Sequence, residues 1–142
     1  MISEDFLAAI EKEEMPPHLY SPLNLAYVGD AVYTLLVRTR LVTEANRPTA
    51  ALNKAEGKLV NAPTQSALYR LLMPRLLPEE VVIIRRGRNA NPGQKAKNAT
   101  FADYRNATGL EALFGYLYLD NQTARLLELF DICWSESYGK TK

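Results

Sequence analysis

Leu25-Ala-Tyr-Val-Gly-Asp-Ala-Val-Tyr33 decides how this 142-residue chain folds. It lies within a long apolar run, Leu23 to Val42, introduced by Ser21-Pro22. A serine can cap a helix with its side chain and a proline suits the first helical position, so a helix begins here. At helical spacing Asp30 shares its face with Ala26, Tyr27, Tyr33, Thr34 and Val37, of which only Thr34 is strongly polar. The opposite face, with Leu25, Val28, Val32, Leu35 and Leu36, is apolar as well. A helix apolar nearly all round is expected in the middle of a fold, and Asp30 is expected to be buried with it. A buried carboxylate needs a cation, donors or a proton. Asp30 is therefore either a structural group held by an arginine or backbone amides, or a functional one. Gly29 lowers helix propensity and points to something that approaches the backbone closely.

Outward from this helix the other segments also read as helical. Residues 3–14 form an amphipathic pattern with Phe6, Leu7 and Ile10 inward, ended by Met15-Pro-Pro17. The central helix stops between Thr43 and Pro48, and Leu52, Ala55, Leu59 and Val60 form the stripe of the next, which starts near Thr49. Asn61-Ala-Pro63 interrupts it; Thr64 to Met73 resumes with Ala67, Leu68, Leu71 and Leu72 in core positions. Glu79 to Arg86 reads as a short helix, its acids and arginines matching the dipole, although Val81-Val-Ile-Ile84 would also suit a strand. Arg88 to Ala99, rich in Asn, Gly, Pro and Lys, reads as an irregular loop. Residues 106–119 form a second mostly apolar helix. The last helix, about 121–134, packs Leu126, Leu127, Phe130 and Trp134, and Ser135 to Lys142 is expected to fray. No strand alternation or internal repeat occurs. The fold class is all-α, about seven helices in a single domain over residues 1–142.

A chain of this length buries a real core without staples. Cys133, the one cysteine, cannot form an intramolecular disulfide, which suits a reducing, cytoplasmic compartment. The one histidine, His18, lies in a Pro-rich turn, so a histidine-based metal site or Ser-His-Asp triad is not expected. The acidic N-terminal segment lacks a signal-peptide pattern. No uninterrupted apolar run reaches the roughly 20 residues of a membrane span, so no membrane is expected as a partner. The net charge of +1 hides a concentration: Arg85, Arg86, Arg88, Lys95, Lys97 and Arg105 against Asp103 make +5, leaving −4 elsewhere. Such a segment is either a solvated surface or a phosphate-contacting one. The absence of aromatic residues from Arg85 to Thr100 favours duplex backbone contacts over stacking on single strands.

A second carboxylate has a similar setting. Glu111 shares its helical face with Ala107, Thr108, Phe114, Gly115 and Tyr118. By itself, Thr108-Gly-Leu-Glu111 is most simply a capping box, with Glu111 capping the start of its own helix. The two stretches together, however, resemble the ribonuclease III family. Gly29-Asp30-Ala31-Val32 resembles the core of its signature helix, and Glu111-Ala-Leu-Phe-Gly-Tyr-Leu-Tyr118 its Glu-Ala-Leu-Ile-Gly helix. The longer family motif has glutamates where this chain has Leu23 and Ala26, and an aspartate where it has Thr108. That reduced acidic set fits a degenerate copy, or the Mini-ribonuclease III subfamily, short enzymes without a double-stranded-RNA-binding domain. Leu23-Asn-Leu-Ala-Tyr-Val-Gly-Asp30, Arg85-Arg-Gly-Arg-Asn-Ala90 and Tyr104-Arg105 before Ala107-Thr-Gly-Leu-Glu-Ala112 resemble typical stretches of that subfamily. The resemblance spans nearly the whole length, so no appended binding domain is expected.

The resemblance implies the ribonuclease III endonuclease-domain fold and a magnesium-dependent endoribonuclease acting on double-stranded RNA. The implied substrate is a base-paired precursor of large-subunit (23S) ribosomal RNA. Asp30 and Glu111 become the catalytic, metal-binding pair. Phosphodiester hydrolysis needs charge neutralised at the phosphate and an activated water, and Mg2+ on one or two carboxylates supplies both. Arg85, Arg86, Arg88, Lys95 and Lys97 become RNA contacts. The family dimer implies a homodimer with two sites across one valley, cutting both strands to leave 5′-phosphates and short 3′ overhangs. A ribosomal protein is a further partner it leaves open. Two other classes stand beside this one: a catalytically inactive RNA-binding module of the same fold, and a helical protein-interaction domain whose basic loop meets an acidic partner. Retention of Asp30 and Glu111 favours the enzyme over the first, and the local +5 favours RNA over the second.

Overall fold

The computed structural model describes residues 4–11, 15–90 and 100–141. Seven α-helices occur among them: α1 (Glu4–Ile10), α2 (Pro22–Glu44), α3 (Thr49–Leu59), α4 (Ala62–Leu72), α5 (Pro78–Ala90), α6 (Phe101–Leu119) and α7 (Thr123–Thr141). Short 3-10 turns lie at Pro17–Leu19 and Met73–Arg75, and no strand occurs among the described residues. None of these helices is long and apolar enough to cross a membrane. Ser21 starts α2 as its position predicts, its side-chain oxygen accepting the Asn24 N–H at 3.2 Å.

The helix in the middle is α6 rather than α2. Every residue from Asn106 to Leu117 is buried except Glu111, which is half-buried, and α2, α4 and α5 pack around this stretch. α2 turns one side to solvent, leaving Leu23, Tyr27, Leu35 and Val42 exposed, Tyr27 at 83%. Asp30 is exposed too, which corrects the expectation that it is buried. An all-apolar pattern marks both sides of a helix as unsuited to water, but does not say that one domain covers both.

Two backbone-close crossings fix α6 against its neighbours. A methyl group on Gly29 would overlap the carbonyl oxygen of Glu111 and lie 2.7 Å from the backbone nitrogen of Gly115. One on Gly115 would overlap the carbonyl oxygen of Leu25. α2 and α6 thus touch main chain to main chain, the approach that Gly29 foreshadowed. On another side, a methyl group on Gly87 of α5 would lie 2.6 Å from the Ala112 Cβ, and one on Gly109 would lie 2.7 Å from the Ile84 carbonyl oxygen.

The start of α6 overturns the capping-box reading of Glu111. Thr100 caps the helix by accepting the Asp103 N–H at 3.0 Å, so Thr108 and Glu111 fall in its third turn. The Thr108 hydroxyl instead donates to the Tyr104 carbonyl at 3.0 Å. Thr100-Phe-Ala-Asp103 carries the same signal two turns earlier, with Asp in place of Glu. At the other end Asn121, at φ 56°, closes the helix in a Schellman motif, Gln122 N–H reaching Leu117 O at 2.9 Å.

α5 extends to Ala90, so Arg85, Arg86 and Arg88 are all helical and Arg88 is not part of a loop. Lys95 and Lys97 lie outside the described residues. Glu80, read as a dipole partner, is buried: Leu77 N–H donates to it at 2.9 Å and Arg125 of α7 binds both its oxygens at 2.8 and 2.9 Å. Burial alone would raise its pKa, but Arg125 and the Leu77 amide outweigh that and hold it below the ordinary carboxylate range.

Three smaller expectations change. In α1 Leu7 is buried, with Phe6 and Ile10 exposed. In α4 Ala67 faces solvent, and Gln65 takes an inward place beside Leu68 and Leu72. α7 continues through Thr141 instead of fraying from Ser135. Trp134 and Tyr138 stack at 4.5 Å, and the Tyr138 hydroxyl donates to Glu44 at 2.7 Å.

Candidate active site

The α2–α6 crossing brings Asp30 and Glu111 together. Asp30 follows Gly29, and Glu111 lies one turn before Gly115, so the helix contact carries one carboxyl to each side of the same cleft. The two carboxyls come within hydrogen-bonding reach. Burial, then the charge of Asp30 and a hydrogen bond to it, push the Glu111 carboxyl up to about 8. Gln65 on α4 also touches Glu111 and acts the other way, favouring its charged form.

The charge of Asp30 adds to burial in making Glu111 costly to ionise. No third Asp, Glu, His or Cys joins it into a cluster among the described residues. One turn before each carboxylate stand Ala26 and Thr108, both buried and uncharged. Two carboxyl groups, one exposed to solvent, fit a hard divalent cation that keeps most of its waters. They do not fit a closed structural zinc site, which takes about four nitrogen or sulfur ligands.

A pH dependence follows from Glu111. Its folded value of about 8 lies above its ordinary 4.5. Through that window the folded chain holds a proton that the unfolded chain has released, so stability falls as pH rises. We expect the metal-free protein to lose melting temperature from pH 5 to pH 8, and Glu111→Gln to remove that part of the slope. Melting curves of both proteins across that range check it; identical slopes would mean that Glu111 titrates normally.

The basic residues are less uniform than their spacing suggests. Arg85 is exposed. Arg86 donates to the His18 carbonyl at 2.9 Å, tying α5 to the turn before α2. Arg88 donates from Nε to Asn106 at 2.9 Å. Asn106 in turn donates to the Ser66 hydroxyl at 3.0 Å, and Arg70 donates to that hydroxyl at 3.0 Å. This chain links α5, α6 and α4 one to two turns from Glu111. Sequence reading missed Gln65, Ser66 and Asn106; their only signal is a polar residue set among the apolar positions of a helix face.

The Ribonuclease III domain profile matches residues 23–122, which include both carboxylates and both glycine crossings. Mini-ribonuclease 3 of Brevibacillus brevis is 43% identical over 122 residues, spanning 84% of this chain and 91% of that protein. Mini-ribonuclease 3 of a Thermoanaerobacter species is 42% identical over 112 residues, 79% of each chain. The X-ray crystal structure of a Fusobacterium nucleatum protein superposes with a TM-score of 0.77 at 30% identity, covering 87% of this chain and 94% of that one. With seven helices, paired carboxylates at the α2–α6 crossing and relatives matched over most of their length, the chain belongs to the ribonuclease III family, in its Mini-ribonuclease 3 group.

Proposed function

We propose that this endoribonuclease cuts double-stranded RNA with magnesium held by Asp30 and Glu111, and that its substrate is a base-paired precursor of large-subunit (23S) ribosomal RNA in the cytoplasm. The observation that carries the reading is the meeting of Asp30 and Glu111 across a contact that only glycines permit. A magnesium ion there would neutralise charge at the scissile phosphate and supply an activated water. Glu111, deeper and half-buried, anchors the site; Asp30, exposed, is the carboxylate that substrate and water can reach. Incubating the purified protein with a long RNA duplex, with and without magnesium, tests the reading. Magnesium-dependent cutting to short duplexes supports it, and an intact duplex under both conditions opposes it.

The exposed apolar stripe of α2 supports a homodimer. Tyr27, Val28, Ala31, Leu35 and Tyr118 line a groove beside Asp30. A second copy covering it would bury well above about 1,000 Å2 in total, and sedimentation at micromolar concentration should give a dimer.

Arg85, Arg86 and Arg88 are proposed to contact RNA phosphates, and their surroundings separate their expected effects. Arg85→Ala should weaken duplex binding, lower the salt slope by about 1 and shift stability by no more than about 0.5 kcal/mol. Arg86→Ala and Arg88→Ala break the bonds to His18 and Asn106 and should also cost about 1–3 kcal/mol of stability. Duplex binding at several salt concentrations and urea midpoints of the three variants check this; three equal stability losses would contradict it.

A further inference from the structure

Gln65 sits on the inward face of α4, 4% exposed, on a side completed by Leu68, Tyr69 and Leu72. Its register is set by Asn61, which caps α4 by accepting the Thr64 N–H at 2.8 Å. The side-chain amide lies against Glu111, yet its Nε2 is buried and completes no hydrogen bond of ordinary length and angle. A buried donor left in that state is destabilising, a cost that an apolar side chain of similar size would avoid. Most such groups in folded proteins have partners, so this one calls for a reason.

We propose that Gln65 is a positioning residue of the metal site, its amide held ready to donate to the Glu111 carboxylate when that carboxylate binds magnesium. This rests on Asp30 and Glu111 being the metal pair. A carboxylate that would hold a cation from this half-buried position needs a donor where water reaches poorly. Gln65 is the donor at that place. Partners that orient a metal-binding carboxylate in this way typically change metal affinity or activity by about 10–100-fold when removed.

Gln65→Met keeps length and volume but removes the amide. We expect its metal-free melting temperature to stay within a few degrees of wild type or rise, and its duplex binding without magnesium to be unchanged. Magnesium affinity by calorimetry, and single-turnover cleavage at limiting magnesium, should each fall about tenfold. A purely structural glutamine would give the reverse: a lower melting temperature with magnesium affinity unmoved. If Gln65→Met does not fold, the wild-type side chain can be followed directly by NMR. Adding magnesium should shift the Gln65 side-chain amide protons downfield and slow their exchange; amide signals that ignore magnesium overturn the proposal. Asp30→Asn, measured alongside, separates the two levels. If it binds magnesium and cleaves normally, the metal-pair reading fails and takes this inference with it. If it loses both while Gln65→Met matches wild type, only the role of Gln65 falls.

Discussion

Asp30→Asn is expected to leave a folded protein that binds duplex RNA but cuts it at least about 100-fold more slowly. A bound metal contributes several kcal/mol to stabilising charge in such a transition state, and each ~1.4 kcal/mol is a factor of ten in rate. Asparagine keeps the size of Asp30 and one of its acceptor oxygens but gives up the charge that holds a hard cation. Folding should be unaffected, because Asp30 is exposed and the adjoining contact is made by Gly29. Removing the Asp30 charge also lowers the cost of ionising Glu111, so the metal-free variant should melt no lower than wild type. Cleavage rates with excess enzyme, together with a melting curve, check both halves. Normal turnover by this variant would exclude Asp30 from catalysis.

Gly29→Ala acts on the same site through the fold and should have the largest effect on stability. Overpacking a core costs about 1–3 kcal/mol when neighbouring side chains can move aside. Here the neighbours are the carbonyl of Glu111 and the amide of Gly115, both main chain within a helix, so the relief must come from separating α2 and α6. We expect at least about 3 kcal/mol of destabilisation, a fall of about 10 °C in melting temperature. Gly115→Ala should behave alike, since its methyl group meets the Leu25 carbonyl. Gly57→Ala is the control. Nothing lies near a methyl group there, on exposed α3, so it should be neutral or stabilise by up to about 1 kcal/mol. Similar melting temperatures for all three would show that the glycines tolerate side chains and that the crossing is looser than described.

How legible the sequence was depended on whether a feature is local. Ser21-Pro22 and the apolar stripe of α3 report local chemistry, and α2 begins and α3 packs accordingly, whereas α4 begins at Ala62, inside the stretch that reads as an interruption, because Asn61 caps it. Gly29 reported a close approach without naming its partner, which lies on a helix distant in sequence. The failures have one cause: a pattern of apolar residues does not say which side the domain covers. Asp30 on α2, and Phe6 and Ile10 on α1, read as inward because the wheel makes no distinction, and all three are exposed. Thr108 to Glu111 by itself suggests a cap because a four-residue motif does not contain the two turns of helix before it. Gln65 was passed over because one polar residue on an inward face has no periodicity, and only the fold shows that it lies against Glu111. Asp30 and Glu111 were found by their resemblance to a family; their meeting at one place is a property of the crossing helices.

The central claim, that Asp30 and Glu111 hold magnesium between them, is tested most directly by cleavage rate against magnesium concentration for wild type and Glu111→Gln. Glu111 lies in the third turn of α6 and caps nothing, so the substitution leaves the helix start intact. Glutamine preserves size and lies against the same neighbours but gives up a full charge of attraction for the cation. The assignment predicts a folded variant whose curve is displaced to at least about tenfold higher magnesium, with part of the lost rate recovered at saturation. Superimposable curves would contradict it, and would mean that Asp30 works with a ligand other than Glu111.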